Sequence, residues 1–359
     1  MFSRFSRKAL FLLCLVMICS VALFGFVACN DNGDDGGDLP DPYADWMSWI
    51  PDDVMYRDIS LPLTHNSGCI DVWALKGRFP QEVRNCQQGT IYDQLMYGVR
   101  SFDLRMTTDE RTGKIVCSHG TGYGIPLEEV FADMARFTAE HEGEFITMWV
   151  KLYDSNPYSH AKAEVVKETF EILEPEKYFM DDSYNINEMT MGEIRASGKR
   201  YAVRCDESWC DYVNTTCIFP RTYNGEYNSG ALEKGEECYD YMWDCLKNAD
   251  ENERIRLSLQ RGAGGIVGDV TPFQFMKYDR EYFLELMEKI ASDEHALKVC
   301  AGASIDFATY DYVQCGKVLE LNVYKGVVKD PDTYLKLLQE RYSLPPVDLD
   351  GRDEALEEA

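Results

Sequence analysis

The chain has 359 residues and a formal net charge of −26 at neutral pH, with 36 Lys and Arg against 62 Asp and Glu. A surface of this charge repels nucleic acid and anionic lipid, so the composition argues against a nucleic-acid-binding protein and against adhesion to membranes by general electrostatics. An anionic substrate would have to be held by a few local cations.

The first 28 residues have the pattern of a bacterial export signal. Basic residues lie within the first eight positions, and a largely apolar run extends from residue 9 to residue 27. The run ends at Ala28 and Cys29, and a small residue directly before a cysteine resembles a bacterial lipobox. We therefore expect residues 1–28 to be a lipoprotein signal peptide and Cys29 to be lipidated, which predicts an exported, membrane-anchored protein at the cell envelope or cell surface. The alternative is that the run remains as a transmembrane anchor.

The rest of the chain divides by composition into a tether, one domain and a tail. Residues 29–45 begin with an Asp- and Gly-rich stretch that predicts a flexible acidic tether. Residues 46–344 are long enough for a single barrel of strands and helices with insertions. Residues 345–359 predict a loose acidic tail.

Cysteines are frequent after the export segment. Ten of the 13 lie beyond Cys29, and five of them fall between residues 205 and 245. An even number in an exported chain is compatible with disulfides, although spacing does not reveal their pairing. We therefore expect a disulfide-stapled, Cys-rich insertion at about residues 206–250. Structural zinc is the alternative, which the absence of a Cys-x-x-Cys pair and the presence of only five histidines disfavour.

Predicted strands and helices alternate along the domain. Apolar patterning predicts strands at 57–65, 100–107, 114–119, 144–153, 200–205 and 296–307, and helices at 91–97, 127–141, 160–173, 253–260, 280–292, 310–324 and 331–342. Such an alternation is typical of an α/β protein with a parallel, TIM-like (β/α) barrel, which we expect to be distorted or incompletely closed. Pro62 predicts an edge position or a bulge for the first strand.

The segment 100–106 places charged side chains on one face of a strand. Alternation puts Asp103 and Arg105 on the face opposite Phe102, Leu104 and Met106. If helices cover the apolar face, the two charges point into the barrel, near the strand ends where barrel enzymes have their active sites. The alternative is a buried ion pair that only fixes geometry.

Two of the five histidines lie at the ends of predicted strands. His65 ends the first strand, and His119 ends the third and is followed by Gly120. Strand ends of a barrel converge on one pocket, so two histidines in such positions indicate acid–base chemistry more strongly than either alone. Lys151 ends another strand, and its alternative interpretation is a surface lysine at a strand end.

Three segments together resemble the X domain of phosphatidylinositol-specific phospholipase C. Residues 61–67 read L-P-L-T-H-N-S, where the family has L-P-G-T-H-D/N-S, and residues 94–105 match its Q-L-x-x-G-x-R-x-x-D-x-R pattern. The sequence S-H-G follows at 118–120. The resemblance is strong over residues 57–152, weaker at 303–307, and does not extend to 206–290.

The resemblance implies a role for each matching residue. His65 would be the general base on the inositol 2-hydroxyl and His119 the general acid on the glycerol oxygen, with Asp306 orienting His65. Arg105 would bind the phosphate. Of the remaining residues, the resemblance implies that two line the inositol pocket, Lys151 and Arg204. The implied reaction is the cleavage of phosphatidylinositol or a glycosylphosphatidylinositol to diacylglycerol and cyclic inositol 1,2-phosphate, with a phospholipid at a membrane surface as substrate and no inferred protein or nucleic-acid partner.

Asn66 departs from many bacterial relatives, which have Asp at this position to support the acid histidine. Calcium-dependent relatives use Asn there as a ligand, but they have a carboxylate where this chain has Arg105. A fixed cation would repel calcium and replace its electrostatic role. We therefore expect no metal and no other cofactor, with Asn66 lining the substrate site and Asp103 supporting His119.

Two other functions compete with this one. A metal-dependent glycerophosphodiesterase shares a barrel and a histidine pair, but it needs a carboxylate-rich metal site that Arg105 disfavours. A non-catalytic surface-binding lipoprotein on the same scaffold would have no need of intact His65, His119, Arg105 and Asp306.

Overall fold

The structure is a computed structural model that describes residues 39–74, 85–109, 111–120, 122–152, 163–205, 221–224, 234–258 and 271–346. The predicted signal peptide, Cys29 and most of the predicted tether lie outside these residues. So do Cys210, Cys217 and most of the predicted tail. Within the described ranges, the helices are too short or too polar to cross a membrane.

The strands of the described residues form one mixed sheet. They are β1 (Leu61–Thr64), β2 (Trp73–Ala74), β3 (Ser101–Thr108), β4 (Ile115–His119), β5 (Gly122–Pro126), β6 (Ile146–Leu152), β7 (Tyr201–Cys205), β8 (Arg221–Asn224), β9 (Ile255–Ser258) and β10 (Cys300–Ile305). Seven of them run parallel in the order β7-β6-β3-β1-β10-β9-β8. In the described residues β7 and β8 do not pair. The expected (β/α) barrel is therefore confirmed, and hydrogen bonds do not close it.

Helices follow most of the parallel strands. They are α1 (Ile91–Met96), α2 (Leu127–Glu140), α3 (Ala163–Phe170), α4 (Pro175–Tyr178), α5 (Met191–Ser197), α6 (Gly235–Lys247), α7 (Pro272–Ala291), α8 (Glu294–Val299), α9 (Tyr312–Tyr324) and α10 (Pro331–Arg341). In α2, the buried residues Leu127, Val130, Phe131, Met134 and Phe137 recur at helical spacing and belong to one core with Leu104 and Met106 of β3. The apolar face of β3 therefore packs outward against helices, and its polar face points into the barrel.

One predicted element is wrong, and another is wrong in its first part. Residues 253–260 were expected to be helical, but Ile255–Ser258 is the parallel strand β9, because all four of its residues are buried between neighbouring elements and pair with β8 and β10. The predicted strand at 296–307 begins as a helix, Glu294–Val299, which Asp293 caps at its N-terminus through Ala296 N. Only Cys300–Ile305 is strand.

The strand that carries His119 also differs from expectation. β4 pairs antiparallel with β3, starting at Met106 opposite Cys117, and antiparallel with β5. It is therefore part of a hairpin and not one of the parallel strands. The hairpin forms because β3 continues to Thr108, beyond Met106, where its pairing with β6 ends.

Pro62 lies in a central strand, so the edge position that we predicted for it is wrong. β1 pairs with β10 on one side and with β3 on the other. The Pro62 carbonyl accepts from Arg100 N at 3.1 Å, so the proline nitrogen, on the same side of the strand, also faces β3. Pairing with β3 begins only at Leu63, so no ladder donor is missing at Pro62.

The folded unit begins earlier than residue 46. Tyr43 and Ala44 are buried, and the Tyr43 hydroxyl donates to Tyr312 O at 2.9 Å. Asp41 forms an ion pair with Arg341 at 2.6 Å. These contacts show that the last part of the predicted 29–45 tether is packed, because its aromatic and acidic side chains have partners in α9 and α10.

The region predicted as a Cys-rich insertion contributes to the sheet through β8 and to the core through α6. Among the residues that the structure describes, seven cysteines form no disulfide with one another: Cys69, Cys86, Cys117, Cys238, Cys245, Cys300 and Cys315. Five of these seven cysteines are buried in the barrel and lie outside the predicted cluster at residues 205–245. The structure does not describe the side chains of Cys205, Cys210 and Cys217, so disulfide bonds that involve them stay a prediction.

Candidate active site

His65 and Asp306 meet at the carboxyl end of the sheet. Each follows directly after a parallel strand, β1 and β10, which pair up to Thr64 and Ile305. His65 Nδ1 is 3.0 Å from Asp306 Oδ1, and both side chains are about nine-tenths buried. A carboxylate only accepts hydrogen bonds, so Nδ1–H donates to Asp306 and Nε2 is the nitrogen left for chemistry.

The turns after these two residues are held in an unusual backbone conformation. Asn66 and Phe307 both have positive φ, 44° and 53°. Gln87 lies between the turns, and its amide donates to His65 O at 3.0 Å and to Ile305 O at 2.9 Å. Non-glycine residues adopt this backbone region at a cost that surrounding contacts must offset. Gln87 therefore fixes the ends of β1 and β10 relative to each other.

The environment of His65 favours its protonated form. Burial lowers the pKa of His65, but Asp306 and, to a lesser extent, Cys86 raise it by more, from 6.5 to about 9. The Asn66 amide Nδ2 lies 2.8 Å from His65 Nε2, and its Oδ1 has no hydrogen-bond partner among the described residues. The two amide atoms are interchangeable by a half rotation, after which Oδ1 would accept from a protonated Nε2. Asn66 can thus bind either protonation state of His65.

His119 faces His65 from the hairpin. The two rings are perpendicular, with 6.0 Å between their centroids. Cys86 lies beside both rings, with its Sγ 3.5 Å from His119 Nδ1 and 3.6 Å from the Asn66 amide. Three separate segments of the chain thus bring His65, His119 and Cys86 together.

Asp103 and Arg105 lie on the face of β3 that points into the barrel. Arg105 Nε donates to Asp103 Oδ2 at 3.0 Å, and Nη2 forms an ion pair with the same oxygen at 2.9 Å. Burial raises the pKa of Asp103, but Arg105, Lys151 and His65 lower it by more, so its carboxylate is ionised. Asp103 Oδ2 also accepts from Asn66 N at 3.3 Å. That Asp103 supports His119 stays a prediction, because these described bonds go to Arg105 and Asn66.

The two predicted pocket cations, Lys151 and Arg204, lie on the strands next to Arg105. Lys151 pairs in register with Arg105, and Arg204 pairs with Trp149, so all four side chains share one face of the sheet. The Trp149 ring lies between the cations, with its centroid 3.1 Å from Lys151 Nζ and 5.4 Å from Arg204 Cζ. A strongly acidic chain thus has three cations on one interior face, where an anionic group could be held.

One set of side chains in the described ranges has the spacing of a metal site, and it consists of His65, Cys86 and Asp306. This set contains a single carboxylate. It therefore differs from the carboxylate-rich centre that a metal-dependent glycerophosphodiesterase would need.

Sequence reasoning missed three residues of this site. Cys86 was counted only as a candidate for a disulfide, and Gln87 carried no signal. Trp149 was only one residue of the strand predicted at 144–153. Only Trp149 had an available clue, because strand alternation places it on the same face as Lys151.

Comparisons with known proteins agree with this architecture. No family model matches the chain. A PI-PLC X domain-containing protein of Dictyostelium discoideum is 29% identical over 120 residues, covering 29% of this chain and 21% of that protein. The chain thus spans about a fifth of the length of the curated relative.

Solved structures extend the similarity to most of the chain. A phosphatidylinositol-specific phospholipase C from Listeria monocytogenes has a TM-score of 0.58 at 16% identity, covering 79% of this chain and 99% of that one. A double mutant of the corresponding enzyme from Staphylococcus aureus has a TM-score of 0.58 at 18% identity, covering 78% and 97%. At these identities the comparisons establish the fold, and the family resemblance seen in the sequence is confirmed at that level.

Proposed function

We propose that this chain, which has the fold of the bacterial phosphatidylinositol-specific phospholipases C, is a phosphodiesterase that cleaves phosphatidylinositol or a glycosylphosphatidylinositol with His65 as base and His119 as acid. The observation that carries the proposal is the pair of facing imidazoles, whose ring centroids are 6.0 Å apart. One of them, His65, is bound to the buried carboxylate of Asp306. Phosphodiester cleavage needs a proton acceptor and a proton donor on opposite sides of one phosphorus.

His65 would begin the reaction by accepting the proton of the inositol 2-hydroxyl. Its Nδ1–H is held by Asp306, so Nε2 is the accepting atom, and the Asn66 amide must give way to the substrate hydroxyl. The new imidazolium is stabilised by Asp306. The hydroxyl oxygen then attacks phosphorus within the same molecule, which brings the reacting atoms together without an activated water.

His119 would complete the reaction at the leaving group. As the bond between phosphorus and the glycerol oxygen breaks, His119 donates its proton to that oxygen, and the products are diacylglycerol and cyclic inositol 1,2-phosphate. Arg105 offers its guanidinium to the phosphate oxygens, where charge builds up in the transition state. Lys151 and Arg204, on the same face, would contribute to binding the anionic headgroup.

The decisive experiment follows the phosphorus of the substrate by NMR. A five-membered cyclic phosphate, distinguished from an open monoester by chemical shift, is the expected first product. His65→Ala and His119→Ala should each lower the rate by about 10²–10⁴-fold, the usual contribution of positioned proton transfer.

A second histidine–aspartate pair provides the matched control. His141 Nδ1 lies 2.7 Å from Asp45 Oδ1 at the other end of α2, away from the candidate site. His141→Ala should therefore keep near-normal turnover. A monoester as first product, or near-normal turnover of both site variants, would contradict the proposal and favour a non-catalytic surface protein.

We also propose that Cys29 anchors the protein at a membrane, where its lipid substrate lies. The support is the basic start, the apolar run and the Ala28-Cys29 pair. Growth with a radioactive fatty acid should label the wild type and leave Cys29→Ser unlabelled. Equal labelling of the two proteins would rule out the lipid anchor at this residue.

A further inference from the structure

Cys86 is a fully buried thiol that lies against both histidines, and the proposed reaction does not use it. Its Sγ is 3.5 Å from His119 Nδ1. The candidate ligand atoms of His65, Cys86 and Asp306 all lie within 4.8 Å of one another. A hydrocarbon side chain would fill the same space without polar atoms, so the presence of sulfur here calls for a chemical reason.

The distance from Cys86 to His119 matches the coordination of zinc. With zinc bonds of about 2.3 Å to sulfur and about 2.1 Å to nitrogen, two ligands of a tetrahedral site lie roughly 3.6 Å apart. The distance between Cys86 Sγ and His119 Nδ1 is 3.5 Å. Thiolate and imidazole are also the ligand types that zinc prefers among biological donors.

Asp306 supplies the second requirement of such a site. Histidines that bind a metal usually donate their other ring N–H to a carboxylate, which fixes the ring orientation. His65 Nδ1 already donates to Asp306 at 3.0 Å, so its Nε2 is the nitrogen available to a metal. The Asn66 amide, now 2.8 Å from that nitrogen, would have to rotate away.

The charges also balance. A Cys86 thiolate and the Asp306 carboxylate together neutralise the two positive charges of zinc, while the nearby Arg105 is compensated by Asp103 at 2.9 Å. On binding, the thiol proton and the Nε2 proton of a protonated His65 pass to solvent. Sulfur and the imidazole nitrogens each donate a lone pair, and no redox change takes place.

We propose that His65, Cys86 and His119 form a zinc-binding site oriented by Asp306, and that zinc in this site blocks the acid–base chemistry of the two histidines. A coordinated His65 Nε2 has no lone pair to accept a substrate proton. A His119 coordinated through Nδ1 cannot become the doubly protonated imidazolium, which is the form that acts as the acid. Zinc is therefore an inhibitory ligand of this site and not a cofactor. The proposal that zinc binds here does not depend on the proposed enzymatic function, whereas the proposal that zinc inhibits does.

Cobalt(II) tests the binding site without any activity measurement. Titration of the reduced, full-length protein with Co²⁺ should produce a near-ultraviolet thiolate-to-cobalt charge-transfer band and the visible bands of tetrahedral cobalt. Cys86→Ser and Cys86→Ala should lose the charge-transfer band. Cys315→Ser, which alters another buried thiol that donates to Ala308 O, should keep it.

Zinc affinity, measured by competition with a chromophoric chelator, provides the second readout. We expect Asp306→Asn to weaken binding about 10–100-fold, the usual effect of removing a carboxylate behind a metal-bound histidine. Cys86→Ser should weaken it at least as much, and His119→Gln tests the site without altering the thiol. Circular dichroism establishes that each variant is folded.

The outcomes separate the two proposals. No charge-transfer band in the wild type, or an equal band in Cys86→Ser, overturns the zinc site whether or not the protein cleaves phosphodiesters. If the enzyme is active, zinc should inhibit the wild type at concentrations that leave Cys86→Ser at its own uninhibited rate. Equal inhibition of both would overturn the assignment of zinc to Cys86.

Discussion

Two arginines five positions apart on the chain lie just before β3 and in its second half, and they differ in how their donors are used. Arg100 precedes the strand and is fully buried, with Nε 2.7 Å from Glu144 Oε2. Its other donors bind four main-chain carbonyls: Leu95, Val99, Tyr43 and Ala44. All five N–H groups of this guanidinium are therefore satisfied inside the protein.

Arg105, in the second half of the strand, donates from Nε to Asp103 Oδ2 and forms an ion pair with the same oxygen through Nη2. Its side chain remains 19% exposed. Asp103 Oδ1 has no hydrogen-bond partner among the described residues. A guanidinium whose N–H groups all bind acceptors within the protein holds structural elements together. A partly exposed guanidinium with N–H groups still available can bind an anion. The sequence motif contains both arginines, but only their surroundings distinguish the roles.

The largest expected effect is on folding, at Arg100. Arg100→Met leaves the Glu144 carboxylate buried without its partner, which typically costs about 3–5 kcal/mol of unfolding free energy. Denaturant unfolding measures the loss. Arg100→Met combined with Glu144→Leu should recover part of it, because no unpaired charge then remains. A loss below ~1 kcal/mol in the single variant would show that this end of β3 does not depend on the pair.

Arg105 should show the opposite profile. Arg105→Met removes charge stabilisation from the transition state, so kcat/KM should fall about 10²–10³-fold, as for loss of a comparable donor. Arg105→Lys should restore only part of the activity, since an ammonium lacks the planar fork. Unfolding should change far less than in Arg100→Met. A similar loss of stability in both variants would remove the distinction between the two arginines.

The pH dependence of kcat/KM tests the titration of His65 in the candidate site. The base His65 must be neutral and the acid His119 must be protonated, so kcat/KM of chelator-treated protein should pass through a maximum with pH. The pKa of His65 is raised to about 9 and should set one limb of this profile. Asp306→Asn removes the larger of the two raising influences and should move this limb to lower pH. Asp45→Asn, at the partner of His141, should leave the limb unchanged. If this limb of the pH profile lay at the same pH in Asp306→Asn as in the wild type, a group other than His65 would be responsible for it.

Stability should follow the same linkage. Since the folded pKa of His65 is raised from 6.5 to about 9, its protonated pair with Asp306 stabilises the protein fully below pH 6.5 and loses this contribution as pH rises through about 9. The difference in unfolding free energy between wild type and Asp306→Asn should shrink over that range.

The smallest effect is expected at Gln87. Gln87→Met preserves volume but leaves His65 O and Ile305 O without their donor, and an unsatisfied buried acceptor costs about 1–3 kcal/mol. Because the loss lies between the ends of β1 and β10, kcat should fall more than KM changes. A stability loss with unchanged kcat would show that Gln87 does not position the histidine.

The placement of some candidate site residues could be predicted from the sequence, whereas some of the elements that carry them could not. The catalytic roles of these residues stay predictions. His65 and Arg105 could be placed because strand alternation and strand ends are local properties. The antiparallel hairpin of His119 could not be predicted, since it depends on how far β3 extends beyond β6. The strand Ile255–Ser258 was missed because burial on both faces removes the alternation that identifies a strand.

Cys86 illustrates a different limit. Its neighbours in the chain give no regular pattern, and its contacts with His65 and His119 bring together three separate segments. Only the folded chain shows that a cysteine counted for disulfides lies between two histidines.

The placement of β1 between β3 and β10 has a consequence for the order in which the protein matures. Residue 61 opens the first central strand and residue 305 closes its neighbour, so the middle of the sheet joins the two ends of the domain. His65 and Asp306 are 241 positions apart in the chain. Contacts of such long range form late, because a large loop must close first. A nascent chain thus has the strand of Arg105 long before Asp306 can orient His65, and the His65–Asp306 hydrogen bond marks the completed molecule.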